Sequence, residues 1–244
     1  MSPSVKEALR HVIHASGYEI GRTSVYTSQK VRHRLLFTQL QIDLLLDVGA
    51  NTGQFASDCR AAGYKGRIIS FEPSTAAHSG LLQSAAPDPL WTVADRTALG
   101  AITGEAEINI AANSVSSSIL PMLDTHLSAA PASRYLRKEI VPLRRLDDVL
   151  SPTDRTCRIY LKLDVQGYES EVLAGATGIL PQVRAIQLEM SLLPLYEGET
   201  LMLDMCAKMA ANGFELWSLE PGFRDPVTGR LLQADGIFAR PSFH

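Results

Sequence analysis

The chain has 244 residues, of which 45% are apolar and 20% charged, and its formal net charge is −3. That is enough chain for one α/β domain with its own core. The mildly acidic balance gives no electrostatic support to nucleic-acid binding. Cys59, Cys157 and Cys206 are the only cysteines, far apart and in no CxxC or Cys/His array. This excludes a disulfide scaffold and a zinc ribbon and fits a reducing compartment, by default the cytoplasm. No run of about 18 apolar residues predicts a membrane span. Residues 5–20 are too interrupted by charge to read as a secretory signal.

Residues 4–16 predict a short helix with Ser4 as N-cap and Val5, Leu9, Val12 and Ile13 on one face. Residues 27–40 predict a second helix. Its polar face carries Lys30, Arg32, His33 and Arg34, either a solvated face or a dock for an anionic lipid or substrate, which leaves peripheral membrane contact open. Residues 44–48 then form an apolar run that ends in a glycine cluster, the texture of a strand buried on both faces of a parallel sheet. A helix over 55–62, a strand over 67–71, a helix over 75–85 and a strand over 90–94 continue a β-α-β-α-β rhythm. That rhythm predicts a doubly wound parallel sheet. Residues 104–112 alternate as a half-exposed strand. Residues 113–133, rich in serine with Pro121 and Pro131, read as a loop or partly helical excursion. Strands over 158–163 and 183–188, helices from 169 and over 201–211, and a final strand pair over 214–219 and 236–240 complete the pattern.

The most informative stretch is Asp47-Val48-Gly49-Ala50-Asn51-Thr52-Gly53, between a buried strand and a helix. Glycines permit a tight turn and close approach to a ligand. The helix start beyond them offers free N–H groups. Neither GxGxxG nor GxxxxGK[ST] is present, and no lysine follows the loop. This disfavours a di- or triphosphate and a nicotinamide oxidoreductase. Glu72, at the end of the second strand, is placed to take both hydroxyls of a ribose. A phosphate-free nucleoside cofactor such as S-adenosyl-L-methionine fits this set.

At these residues the chain resembles the FkbM-type S-adenosylmethionine-dependent methyltransferases. The likeness runs through Leu46-Asp47-Val48-Gly49-Ala50-Asn51-Thr52-Gly53-Gln54-Phe55, Ser70-Phe71-Glu72-Pro73, Ala98-Leu99-Gly100, Ser116-Ser117-Ser118, Arg145-Leu146-Asp147-Asp148 and Leu161-Lys162-Leu163-Asp164-Val165-Gln166-Gly167-Tyr168-Glu169. Gln166 departs from it, standing where the family often has glutamate. The resemblance implies a Rossmann-like class I methyltransferase: a mostly parallel doubly wound sheet with an antiparallel final strand and N-terminal helices. It divides the single domain into a helical extension over 1–42, packed on the core, and the methyltransferase region over 43–244. It also implies O-methylation of a hydroxyl on a sugar or glycoconjugate, such as a glycolipid, polysaccharide or glycosylated metabolite. A catalytically silent cofactor-binding protein is the alternative.

The resemblance gives Asp47, Gly49, Asn51 and Gly53 the methionine end of the cofactor and Glu72 its ribose. It places Asp95, Ala98 and Leu99 near the adenine and Asp164 facing the methyl group. Methylating an alcohol calls for a proton acceptor, and the candidates are Asp164, Glu189 and His126, the last in the polar excursion. No ligand spacing in the sequence demands a metal. Asp147 and Asp148 are expected to cap or brace a helix. Tyr196, Phe223, Trp217 and Trp91 are candidates for stacking on a sugar ring, the first two favoured by their loop-like surroundings.

Overall fold

The structure, a computed structural model, describes residues 5–17 and 22–241. Ser4, the expected first N-cap, lies outside them. In chain order the elements are α1 (Val5–Ala15), α2 (Gln29–Gln39), β1 (Leu44–Val48), α3 (Gln54–Ala61), β2 (Arg67–Phe71), α4 (Thr75–Ala85), β3 (Trp91–Val93), β4 (Ala98–Leu99), β5 (Gly104–Ala111), α5 (Asp124–Ala129), β6 (Tyr135–Arg144), α6 (Leu146–Val149), β7 (Ile159–Leu163), α7 (Glu169–Ala174), β8 (Val183–Ser191), α8 (Met202–Ala211), β9 (Glu215–Pro221) and β10 (Gln233–Ala239).

Seven strands form the main sheet in the order β3-β2-β1-β7-β8-β10-β9. The first five pair in parallel. β10 is antiparallel to both β8 and β9, the antiparallel end that the resemblance implies. Strand order reverses at β1, which sits between β2 and β7. Open α/β sheets bind ligands at such a switch point, beyond the carboxyl ends of the strands.

The period-two alternation of β1 sorts its side chains to two cores. Leu44, Leu46 and Val48 join Leu161, Leu163, Val172 and Met205 on the face covered by α6, α7 and α8. Leu45 joins Leu36, Phe37 and Leu40 of α2, Ala56 and Cys59 of α3, and Leu81 of α4 on the other. Both faces of the sheet are therefore dry, which explains why the first strand reads as an unbroken apolar run.

The middle of the chain holds a second sheet, β4-β6-β5. β6 pairs antiparallel with β5 along nearly its whole length. No strand is legible in the sequence there, because Tyr-Leu-Arg-Lys-Glu-Ile-Val-Pro-Leu-Arg buries only Val141 and Leu143 and leaves the rest partly or fully exposed. The 113–133 excursion contains α5 and closes over this sheet through Ile119, which packs on Ile108, Ile110 and Val141.

On α2, Lys30 and Arg34 stay exposed as on a solvated face, Arg32 is half-buried, and His33 turns inward. Ser28 caps the helix by accepting from the Val31 N–H. His33 is buried, stacked parallel to Phe37 and edge-on to Tyr160, and burial lowers its pKa to about 4. Arg32 pairs with Glu220 on the edge strand, and Lys30 with Asp58. With two of its three fixed cations neutralised, the helix is a brace rather than an anion dock. By contrast, Leu9 and Val12 of α1 are 56% and 68% exposed. Among the described residues no helix is long and apolar enough to cross a membrane.

Phe37 is the keystone of the α2 contact, with its ring 4.8 Å from Tyr160 and 5.2 Å from Tyr64. Phe37→Ala is expected to lower unfolding free energy by about 3–5 kcal/mol in urea melts, the usual cost of deleting a buried aromatic.

Candidate active site

The turn from β1 into α3 is built by close backbone approach. Gly49 has φ +75°, and a Cβ there would lie 1.8 Å from the Asp164 carbonyl oxygen, so no other residue fits without moving β7. The Gly49 and Ala50 N–H groups both donate to the Phe71 carbonyl at 3.0 Å. This joins the ends of β1 and β2. The next residue, Asn51, also has positive φ, +49°. Its N–H donates to Glu72 Oε2 at 2.9 Å, while Ser74 N–H donates to Oε1 at 2.8 Å. Burial raises the Glu72 pKa, and these two N–H donors oppose the shift.

Beyond this turn lies an open cavity whose empty space, counted together with solvent at its mouth, is about 550 Å³. Gly49, Asn51 and Glu72 line one part of it. Phe71, Ala98, Leu99 and Ile108 make an apolar part, and Asp164, Val165 and Gln166 close another. Ser114, Val115, Ser117 and Ser118 lie along the excursion side. No lysine or arginine lines it. An acidic, partly apolar cavity without cations fits a nucleoside carrying a sulfonium and an ammonium, and does not fit a diphosphate.

A polar row crosses the α2/α3 face of the sheet beside the cavity. In register, Ser70, Asp47, Lys162 and Gln187 stand on β2, β1, β7 and β8. Lys162 is 7% exposed. Its Nζ lies 3.5 Å from Asp47 Oδ1, 3.1 Å from Asp164 Oδ2 and 5.3 Å from the centroid of Phe55. Burial alone would lower its pKa; Asp164 and Asp47 outweigh burial and raise it, so this lysine is a fixed cation. On β10, opposite Glu189, burial raises Asp235 to about 6, with help from Asp164. Burial also drives Glu189 well above the carboxylate range, reinforced by Asp164, Asp235 and Glu169.

The structure brings Gly49, Asn51, Glu72, Ala98, Leu99 and Asp164 together around one cavity. Glu189 joins them at one remove, since Gln166 Nε2 donates to both Asp164 Oδ1, at 2.8 Å, and Glu189 Oε2, at 2.7 Å. Other expected site residues stand apart. Asp47 is wholly buried and faces Lys162. Gly53 begins α3 and packs under the Trp91 ring. Asp95 lines a neighbouring groove that shares Phe71 and Thr97 with the cavity.

His126 is 3% exposed and does not line the cavity. Its Nε2 meets Ser133 Oγ at 3.2 Å, and its ring packs on Tyr196 and Phe223. Burial lowers its pKa to about 4. Tyr196 is fully buried and Trp91 nearly so, and Phe223 packs into the same cluster as Tyr196. Three of the four aromatics proposed to stack on a sugar are therefore packing residues, and Trp217 lies on the edge strand. Asp147 braces the chain after α7, accepting from the Gly178 and Ile179 N–H groups at 2.9 and 3.1 Å.

Sequence reasoning missed Lys162, Gln187, Asp235 and the Tyr196 hydroxyl. A lysine inside a strand that otherwise reads as fully buried is itself a signal, because such residues are rarely buried unpaired.

Glu169 sits at the base of the Val165–Gly167 turn. Its Oε1 accepts from the Val165 and Gly167 N–H groups. Burial raises its pKa to about 8 against these donors. The fold thus keeps it protonated where an unfolded chain, with a carboxyl pKa of about 4.3, has ionised it. Its contribution to stability is full below that value and is lost as pH rises toward 8. Glu169→Gln keeps the accepting oxygen and removes the titration. Its melting curve should match wild type near pH 4.5 and lie above it at pH 8–9, which a pH series of thermal melts checks.

A family profile described as the methyltransferase FkbM domain matches residues 47–216. Among solved structures, Sp1610 from Streptococcus pneumoniae in complex with S-adenosyl-L-methionine aligns with a TM-score of 0.49 at 12% identity, over 86% of this chain and 72% of that one. A protein in the NADB-Rossmann superfamily from Streptococcus agalactiae aligns with a TM-score of 0.46 at 12% identity, over 87% and 68%. Precorrin-6y C5,15-methyltransferase from Geobacter metallireducens aligns with a TM-score of 0.42 at 11% identity, over 90% and 92%. No curated protein sequence matches the chain significantly.

Proposed function

This chain belongs to the FkbM methyltransferase domain family and is an S-adenosylmethionine-dependent methyltransferase; on that premise we propose that it methylates a hydroxyl of a sugar or glycoconjugate, such as a glycolipid, a polysaccharide or a glycosylated metabolite. The observation that carries this reading is the pair of acids Asp164, just after β7, and Glu189, within β8, joined by one amide beside a cavity that no described lysine or arginine lines. Carboxylates accept from neutral hydroxyl groups and repel an anionic acceptor.

When bound, S-adenosylmethionine supplies an electrophilic methyl group and departs as S-adenosylhomocysteine. Glu72 holds the ribose hydroxyls, its oxygens already aimed by Asn51 and Ser74. With their N–H groups already donated to Phe71 and Glu72, Gly49 and Asn51 would offer backbone carbonyls to the ammonium of the methionine end. Ala98 and Leu99, with Phe71 and Ile108, enclose the adenine. Asp164 is engaged on both oxygens, by Lys162 and by Gln166, so it serves as a fixed anion. Glu189 receives only Gln166 on Oε2. Its Oε1 would be left to accept the proton of the acceptor hydroxyl. A pKa raised above the ordinary carboxylate range by burial and by Asp164 makes it a stronger proton acceptor than a free carboxylate. His126 takes no part in this scheme. It supports Tyr196 from behind.

Incubation with S-adenosylmethionine and a panel of neutral glycans and glycolipids, read by S-adenosylhomocysteine release, tests the substrate class. Transfer confined to nitrogen or to anionic acceptors would overturn it. Cofactor binding without turnover across the panel would favour a catalytically silent cofactor-binding protein.

Two variants separate the roles. Glu72→Ala is expected to weaken S-adenosylmethionine binding by about 1–3 kcal/mol in calorimetry, the usual loss for a charged hydrogen-bond partner. Glu189→Gln is expected to cut turnover by roughly 10²-fold or more while S-adenosylhomocysteine affinity stays near wild type. In wild type kcat/KM should fall at low pH with an apparent pKa above the ordinary carboxylate range, and Glu189→Gln should lose that limb.

A further inference from the structure

Gln166 transfers no proton in the scheme above, yet its polar groups are heavily engaged. Nε2 donates to Asp164 and to Glu189, Oε1 accepts from the Tyr196 hydroxyl at 2.6 Å, and its carbonyl accepts from the Ser118 hydroxyl at 2.7 Å. Two carboxylates on one side require the amide's N–H groups to face them, which fixes its orientation. The backbone is held at φ +54°, a left-handed conformation uncommon for a side chain of this size. Tyr196 is itself immobilised, with its N–H donating to Glu199 and its ring packed on His126.

We propose that Gln166 is a positioning residue that ties the Asp164 carboxylate to the Glu189 carboxyl and so fixes the Asp164 charge at the sulfonium end of the cofactor cavity, where it lets the site distinguish charged cofactor from uncharged product. This rests on the placement of the cofactor's methyl end near Asp164 given above.

The physical reasoning is one of charge. The groups around the two acids are Lys162 on β7, Asp235 on β10, Glu169 on α7, and the hydroxyls of Tyr196 and Tyr135. Of these only Lys162 is a cation, and it sits on the far side of Asp164. Two adjacent carboxylates would turn apart or take up protons without a donor between them. A neutral amide with two N–H groups supplies that donor without adding charge. The fixed Asp164 carboxylate then attracts a sulfonium and is indifferent to a thioether. Loss of the methyl group thus removes the attraction and favours departure of the product.

The test is calorimetric affinity for S-adenosylmethionine and S-adenosylhomocysteine at pH 7.5, in wild type and three variants whose folding is checked by near-UV circular dichroism. Q166M keeps the side chain's length and removes the donors. It should weaken S-adenosylmethionine at least about fivefold while moving S-adenosylhomocysteine less than about twofold. Q166E also removes the donors and sets a third carboxyl between two others, which favours proton uptake over added charge, so it should shift the preference in the same direction as Q166M. Y196F removes only the hydroxyl that orients the amide and should show a smaller change in the Q166M direction. A side chain that merely fills space would move both ligands together or neither, and either result in the folded variants overturns the proposal. Wild-type protein that binds neither ligand would instead overturn the cofactor reading on which it depends.

Discussion

The interaction on which the rest depends is the buried ammonium of Lys162, placed between Asp47 and Asp164. A carboxylate in the middle of a strand buried on both faces is costly unless it is paired, and β1 places Asp47 in that position. The pairing in register with β7 brings Lys162 directly beside it. The same ammonium reaches the carboxylate that ends β7. One cation thus ties the first strand to the strand across the switch point and fixes an acid at the edge of the cavity. Removing Lys162 would strand Asp47 as an uncompensated buried charge, whereas removing Asp47 would leave Lys162 its pair with Asp164.

Around that tie, the cavity is assembled from backbone geometry more than from side chains. Gly49 admits β7 to van der Waals distance, and the Phe71 carbonyl collects two N–H groups from the turn. Glu72 then has two further N–H groups directed at it, one from each neighbouring loop. The second sheet supplies what the main sheet lacks, an apolar wall of Ala98, Leu99 and Ile108. The serine-rich excursion is pinned to the site by the Ser118 hydroxyl, which donates to the Gln166 carbonyl, and by the Asn51 amide, which donates to the Ser114 hydroxyl. The cavity's apolar wall thus comes from the second sheet, while Glu72 and Asp164 come from strands of the main sheet.

Much of this was legible where local chemistry decides the outcome. The apolar run over 44–48, the glycines after it and the stop at Glu72 are local signals, and the structure has the strand, turn and acid that they predict. What the sequence concealed depends on partners distant in the chain. β6 is a strand because β5 lies beside it, not because its residues alternate. The basic face of α2 is neutralised by Asp58 and Glu220, 28 and 188 residues beyond Lys30 and Arg32. His126 sits in a polar stretch that reads as a loop over the site, yet α5 turns the ring inward against Tyr196 and Phe223. Asp47 belongs to the motif that marks the cofactor loop, but strand alternation points its side chain away from the cavity and toward β7. A motif residue can thus serve the site by bracing it rather than by touching ligand.

The electrostatic design follows from the reaction proposed for it. Methyl transfer to an alcohol turns a sulfonium into a thioether and moves a proton onto a carboxylate. One cation and one anion vanish together, and the net charge of the pocket is unchanged. In a site of low dielectric, attraction between the two charges before reaction stabilises bound cofactor, whereas their loss afterwards leaves a neutral product beside a neutral acid. The raised pKa of Glu189 has the same origin as the attraction for a sulfonium, because Asp164, Asp235 and burial all disfavour a further negative charge there. The crowding of acids that makes Glu189 a willing proton acceptor is therefore also what makes the site prefer a cation, and Lys162 limits that crowding to a level at which the fold survives.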